Sequence, residues 1–463
     1  MPMSARARGA VVLGLGLLLG CPTPKPVVPA LPEDDGSTSS GGGDGSTGSG
    51  SGGPSTSAGT SAGSTSSGDE GSSSGEPVAC ELGVGQGCLA PRGEWWPQGG
   101  SWAFRRRIEL SSPLATPLDD AVVPIVLDDG FEYGCANADA SDLRFVDDGG
   151  TVLDHEIDEW HPGQGAVAWV RLPTLPPAGT TLWLYYGNAS TVGLSAEVWP
   201  ATVGYQAVLH FGDDLQDARG VHHGMPAVPG ESLFAQGAIG RAVHFEEVLV
   251  DRRVELTATE LIDDAIVSSQ SLTVSAWIHA TPNVAARRAY RAVASRGTEA
   301  WGMSLHDAGT VPWNFSPPVH GLFVTYCDEP VCTGYFDMVF HTHASEGTAA
   351  VVEHEVLAFW HHLAVVLEPL GGGDFAKRLY VDGVLDAEDV GPRPLEWATL
   401  SLHEYPITIG TGPQDSDQYV FHGEIDELHV ASEAFGADRL RVEAAFGDPD
   451  GPSLVQLDAP ECQ

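Results

Sequence analysis

Positive charge is what this 463-residue chain has least of. Lysine occurs only at Lys25 and Lys377, the 22 basic residues face 63 acidic ones, and the formal net charge is -41. Binding a nucleic-acid backbone draws on clustered Lys and Arg to displace counterions, so a polyanion of this size excludes DNA and RNA as partners. The sequence also lacks a C-x-x-C pair, an H-E-x-x-H motif and a P-loop, and no G-x-S-x-G elbow or dinucleotide fingerprint sits between a strand and a helix. That removes redox dithiols, zinc ribbons, helical zinc proteases, hydrolases built on a serine elbow and nucleotide enzymes. No stretch of helical length shows a 3.6-residue apolar period, which points to β structure.

What is present begins with a leader. Residues 1 to 21 read M-P-M-S-A-R-A-R-G-A-V-V-L-G-L-G-L-L-L-G-C, with Arg6 and Arg8 ahead of an apolar run too short for a permanent membrane span. This is a secretion signal over residues 1–20. Its end, Leu18-Leu19-Gly20-Cys21, resembles the lipobox of bacterial lipoproteins. The resemblance implies a mature protein starting at Cys21, with lipid on its sulfur, exported and anchored to the cell envelope at the outer-membrane surface. Two or three acyl chains give durable attachment where one gives only marginal binding.

Residues 21–79 read as a disordered tether. Between 36 and 75, 34 of 40 positions are Gly, Ser or Thr, and such a chain has nothing to bury. The six remaining cysteines, Cys80, Cys88, Cys135, Cys327, Cys332 and Cys462, are an even number in an exported chain, which favours disulfides. Local spacing suggests Cys80 with Cys88 and Cys327 with Cys332, leaving Cys135 with Cys462 by elimination.

From about residue 100, short alternating or apolar runs are bounded by Gly, Pro, Asn and Asp. Ala121 to Leu127, Gly165 to Leu172 and Thr180 to Tyr186 read as strands. R-R-R-I-E-L, V-V-P-I-V-L-D, S-D-L-R-F-V-D-D-G-G-T-V-L-D-H-E-I-D-E-W, A-V-A-W-V-R-L-P and L-W-L-Y-Y-G-N-A-S, in that order, resemble the bacterial family called domain of unknown function 2341, over roughly Trp102 to Trp199. That family carries no established chemistry. Asp147-Asp148-Gly149-Gly150 reads as a tight turn, and Asp154, Glu156 and Asp158 alternate as one exposed strand face would.

A second series follows: G-A-I-G-R-A-V-H-F at 237, S-L-T-V-S-A-W-I-H-A at 271, F-W-H-H-L-A-V-V-L-E at 359, R-L-Y-V-D-G-V-L at 378 and P-I-T-I-G at 406. Asp382-Gly383 is a hairpin signal. Together these resemble the laminin G-like jelly roll of the concanavalin A-like lectin/glucanase superfamily. The chain is therefore expected to be all-β, with two β-sandwich-type domains, the second a jelly roll, after the Gly/Ser-rich linker. Residues 80–204 form the first domain, 205–452 the second and 453–463 a tail.

The superfamily holds lectins, adhesion modules and hydrolases, so the site must choose. F-H-G-E-I-D-E-L-H-V at 421 to 430 is a look-alike of the acid cluster of family 16 glycoside hydrolases. A retaining glycosidase needs two carboxylates about 5 to 5.5 Å apart. On a regular strand Glu424 and Asp426 share a face with Leu428, with His429 at the bulged spacing; neither is an acid, and Glu427 points the other way. The resemblance instead implies a calcium site at Asp217 and Asp426, completed by loop carbonyls. The expected role is a surface-anchored, non-catalytic module binding glycan or a surface protein. A glycoside hydrolase and a purely structural envelope protein stay open as alternatives.

Overall fold

The apolar runs become β-strands because each has one face, or two, to bury. In a computed structural model of the chain, the residues described are 80, 83–84, 87–96, 101–191, 197–228, 233–245, 253–281, 290–296, 301–306, 321–327, 336–340, 359–392, 406–411 and 420–463. They all fall within one compact unit, Ser73–Gln463.

The first sandwich sets a sheet of Phe104–Leu110, Thr180–Tyr186 and Arg144–Asp147 against a sheet of Leu118–Leu127, Gly165–Leu175 and His155–His161. The V-V-P-I-V-L run is continuous for a reason. Val123 and Ile125 point into the core between the two sheets, whereas Val122 points outward into a separate apolar cluster with Trp169, Trp199, Tyr205 and Val366. Up to Ile125 the strand is covered on both faces and so reads as unbroken hydrophobicity rather than alternation, while Val126 beyond it is exposed. Pro124 is tolerated because the strand lies at the edge of its sheet.

Residues 453–463 do not trail as a tail. Val455–Leu457 and Glu461–Cys462 pair antiparallel with Phe104–Leu110, so these residues return to the first sandwich. That return decides the disulfides. Cys88 is bonded to Cys462 and Cys80 to Cys135, not Cys80 to Cys88 or Cys135 to Cys462. The backbone holds the first of these in place through Leu89 N to Pro460 O at 2.8 Å and Cys462 N to Leu89 O at 3.2 Å. Sequence proximity misled because the partner arrives from the other end of the chain. Of the expected Cys327–Cys332 bridge, Cys332 lies outside the described residues.

The second sandwich has a sheet ordered Phe234–Gln236, Arg241–Phe245, Gly423–Ala431, Leu272–Ala280, His361–Gly371, Asp374–Val381 and Val384–Pro392. Tyr205–Leu209 pairs with the second half of Gly423–Ala431. A seven-stranded sheet, running from Gly224–Pro226 to Phe336–Phe340, closes the core. Leu272, Val274, Ala276 and Ile278 face that core, as the alternation requires. Asp382 and Gly383 both have positive φ, 49° and 71°, the signature of the tight hairpin their sequence predicts.

Among the described residues, two short helices interrupt the β pattern. In Thr259–Ser269 the buried residues are Thr259, Ile262, Asp263 and Ile266, a helical spacing carried by only two apolar side chains. Ala437–Gly447 lies between the sandwiches. Leu440 joins Phe435 and the outer-facing Ala364 and Val366 of the second sandwich in the cluster that also holds Val122 and Trp169 of the first.

Candidate functional site

Among the described residues, the strand Gly423–Ala431 gathers the candidate functional side chains. Its pairing with Leu272–Ala280 shifts register, with His429 opposite Ser275 but Asp426 opposite Trp277. One extra residue is therefore accommodated, and Glu427 takes it up with φ of 48°. The bulge overturns the face count made on a regular strand. Ile425, Leu428 and Val430 turn into the core, while Glu424, Asp426, Glu427 and His429 make their contacts outside it.

At the start of the strand this outer face stays half-open. Gly423 has φ of 120°, and a Cβ there would stand 2.0 Å from the carbonyl oxygen of His279, so no other residue fits. The close approach sets His244, Glu424 and His279 side by side in register. Both oxygens of Glu424 are engaged, His244 Nδ1 lying 2.7 Å from Oε1 and His279 Nδ1 2.7 Å from Oε2. The two imidazoles are 34% exposed and Glu424 16%. Trp360 extends the row, its ring 5.6 Å from that of His279. The result is a surface row of imidazole, carboxylate, imidazole and indole.

Towards the middle of the sheet the same face is covered. Ser275 Oγ meets Glu443 of the inter-sandwich helix at 3.1 Å, and Trp277 packs on Gly447. Beneath that cover lies a buried polar network. His210 Nδ1 is 2.7 Å from Glu427 Oε2, and its Nε2 is 2.9 Å from Glu156 Oε1 of the first sandwich, with the ring stacked on Trp169 at 4.9 Å. His429 stands 3.4 Å from Glu427 and 3.7 Å from Glu443 through its two nitrogens, and His362 Nε2 is 3.6 Å from Glu443. Burial alone would lower His210, but the carboxylates of Glu427, Asp158 and Glu156 outweigh it and hold the ring well above the ordinary histidine value. Burial would likewise lower His429, which its two glutamates raise instead to about 9. For Glu443 burial acts upward, yet His362 and His429 keep it well below the usual carboxylate range. Burial pushes Asp158 up to about 7, and burial together with Glu427 puts Asp426 well above its ordinary value.

The two aspartates expected to hold calcium each accept backbone amides. Asp217 accepts four backbone amides, from Val208 and Arg219 on Oδ1 and from Val221 and His222 on Oδ2, at 2.9 to 3.1 Å. Asp426, fully buried, accepts the amide of Ile239 on Oδ2 and that of Glu427 on Oδ1, each at 2.9 Å. Among the described residues, the group of three side chains able to converge on a metal contains neither; it is His210, Glu427 and His429. Cys21, the expected lipidation site, lies outside the described residues.

Two family models match the sequence, a domain of unknown function (DUF2341) over residues 139–218 and the concanavalin A-like lectin/glucanases superfamily over residues 337–441. The chain carries a DUF2341 domain and a concanavalin A-like domain. No curated protein matches it. Among solved structures, domain 4 of AbnA, a GH43 extracellular arabinanase from Geobacillus stearothermophilus in complex with arabinotriose, is 17% identical, with 52% of this chain and 98% of that one covered at a TM-score of 0.32. The binding domain of Paraclostridial Mosquitocidal Protein 1 is 12% identical, with 53% of each chain covered at 0.37, so this chain spans about half its length. The CBM40 of a Ruminococcus gnavus IT-sialidase, bound to alpha2,3 sialyllactose, is 13% identical, with 38% of this chain and 82% of that one covered at 0.27. Superpositions this loose carry no argument about this chain.

The acidic residues of the DUF2341 domain divide in two. Asp147 makes the expected turn, its Oδ1 accepting the amide of Thr151 at 2.8 Å. Asp142, also fully buried, ties down the amides of Asn137, Gly187 and Asn188. Glu156, read with Asp154 and Asp158 as an exposed strand face, instead faces the concanavalin A-like domain, as does Glu159. Glu156 accepts from Trp199 Nε1 at 2.5 Å and reaches His210, while Glu159 accepts the amide of Arg241 at 2.7 Å. Sequence reasoning missed His210, Glu443 and Trp360 as site residues. A faint signal existed for His210, a lone histidine directly after an apolar strand, but Glu443 sits in a helix that no pattern singled out.

Proposed function

We propose that the chain is a lipid-anchored, surface-displayed binding module whose concanavalin A-like domain holds a carbohydrate without cleaving it. The observation that carries this reading is the half-exposed row His244, Glu424, His279 and Trp360 on the open part of the outer sheet face. A sugar ring offers an apolar face to an indole and hydroxyls to imidazoles and a carboxylate, and this row supplies both within a few ångströms. The closing-strand carboxylates favour holding over hydrolysis. Glu424 is clamped by two imidazoles, Asp426 is bound to amides, and Glu427 is buried against His210. Neither Leu428 nor His429 supplies the second catalytic acid.

A glycan array probed with the soluble chain, with and without calcium, tests this. Glycan capture without release of shortened product is expected, and Trp360→Ala should weaken it at least tenfold, the loss of about 1.4 kcal/mol of ring contact. Product release would make the protein a glycosidase, and silence under both conditions would favour a structural envelope protein. The leader and the lipobox-like Leu18-Leu19-Gly20-Cys21 support anchoring, and the Gly/Ser/Thr stretch would hold the module ~40 Å from the membrane. Cys21→Ser is expected to move the protein from the membrane fraction to the soluble one; unchanged fractionation would rule the anchor out.

A further inference from the structure

We propose that His210, Glu427 and His429 bind one divalent transition-metal ion of the zinc class, placed between the two sandwiches. One ligand atom of each lies within 4.8 Å of those of the other two. Glu427 Oε2 is 2.7 Å from His210 Nδ1 and 3.4 Å from His429 Nε2. Around tetrahedral zinc with bonds of about 2.0 to 2.1 Å, ligand atoms stand roughly 3.3 Å apart. The Glu427–His429 spacing already meets that, His210 Nδ1 would withdraw from Glu427 by about half an ångström, and the His210–His429 pair, within 4.8 Å, would settle to the same spacing.

Orphaned polar atoms point the same way. Glu427 and His429 are 3% and 4% exposed, yet Glu427 Oε1 and both ring nitrogens of His429 have no hydrogen-bond partner, and neither has the neighbouring His362 Nδ1. Buried groups are seldom left so. They border a cavity of about 10 Å³ that Glu443 and His362 also line, room for about one water or ion. The surroundings resemble a built metal shell. His210 turns its other nitrogen to Glu156, as metal-bound histidines commonly do towards a carboxylate, and Trp169 fixes its ring plane. Glu427 is held in a left-handed backbone conformation, strained for any residue but glycine, that aims its carboxylate into the cluster. Two imidazoles with one carboxylate suit zinc and its neighbours rather than calcium, which takes oxygen ligands.

Elemental analysis of the purified full chain after dialysis, followed by calorimetric titration of the stripped protein with zinc, tests the site. One zinc per chain is expected, with affinity falling at least tenfold in His429→Ala and in Glu427→Gln. His244→Ala, on the open row, should leave zinc binding unchanged. Cobalt bound to the stripped wild type should give the visible absorption of a four-coordinate site, a reading that requires no variant to fold. Absence of zinc uptake by the wild type, equal uptake by His429→Ala, or loss of uptake in His244→Ala would each overturn the proposal, the cavity then holding a water.

Discussion

Deleting residues 453–463 is expected to unfold the first sandwich. Those residues carry Glu461, whose side chain is 1% exposed and which receives Arg105 Nε at 2.9 Å and Nη2 at 2.8 Å. Arg105 is itself buried, lying over Trp183 at 4.1 Å and Trp95 at 4.9 Å. Removing one partner of a buried ion pair leaves a bare charge and costs about 3–5 kcal/mol. The deletion also removes the Cys88–Cys462 bridge, which spans 374 positions and is worth about 2–5 kcal/mol. Together these approach the whole stability of an ordinary domain, about 5–15 kcal/mol. Loss of near-ultraviolet dichroism and rapid proteolysis within residues 101–191 would be the readout; a deletion variant that melts within a few degrees of wild type would show the clasp to be dispensable.

The same clasp should titrate. Burial acts to raise Glu461, but the bonds from Arg92 and Arg105 outweigh it and hold the carboxyl below its ordinary value near 4.5. A carboxyl lowered on folding contributes stability that is fully present above the unfolded value and lost as pH falls through the folded one. The melting temperature should therefore drop on acidification below about pH 4.5, and less steeply in Glu461→Gln, which starts lower.

Asp263→Ala should cost the concanavalin A-like domain about 3–5 kcal/mol. Asp263 is fully buried in the helix Thr259–Ser269 and meets Arg296, itself 2% exposed, through Nε at 3.0 and 3.1 Å and Nη2 at 2.6 Å. Without the carboxylate, a guanidinium is trapped beneath the helix. Urea unfolding would report the loss as a lower midpoint at unchanged slope. The double variant Asp263→Leu with Arg296→Met should recover most of it, since an apolar pair of similar volume carries no charge to bury. A single variant within 1 kcal/mol of wild type would mean the charge finds other compensation.

Sequence reading and structure agree wherever the cause is local. The strand at Thr180–Tyr186, the core face of Leu272–Ala280 and the hairpin at Asp382-Gly383 rest on residues within a few positions of one another. Period-two burial and turn chemistry are decided at that range. The two domains were legible for the same reason, each resemblance being a succession of such local patterns. The helix Thr259–Ser269 escaped because two of its four buried positions are the polar Thr259 and Asp263, and Asp263 is buried on account of Arg296, 33 residues away.

The composition and local pattern by themselves determined an all-β, acidic chain with two sandwich domains, because propensity, periodicity and charge act residue by residue. Tertiary structure alone decided the disulfide partners, the return of residues 453–463 to the first strand, and the bulge at Glu427 that turns Leu428 into the core. It alone brought Glu156, His210 and Glu427 together across separations of 54 and 217 residues. Such contacts arise from how two finished sandwiches pack, and that packing leaves no period in the sequence from which to read it.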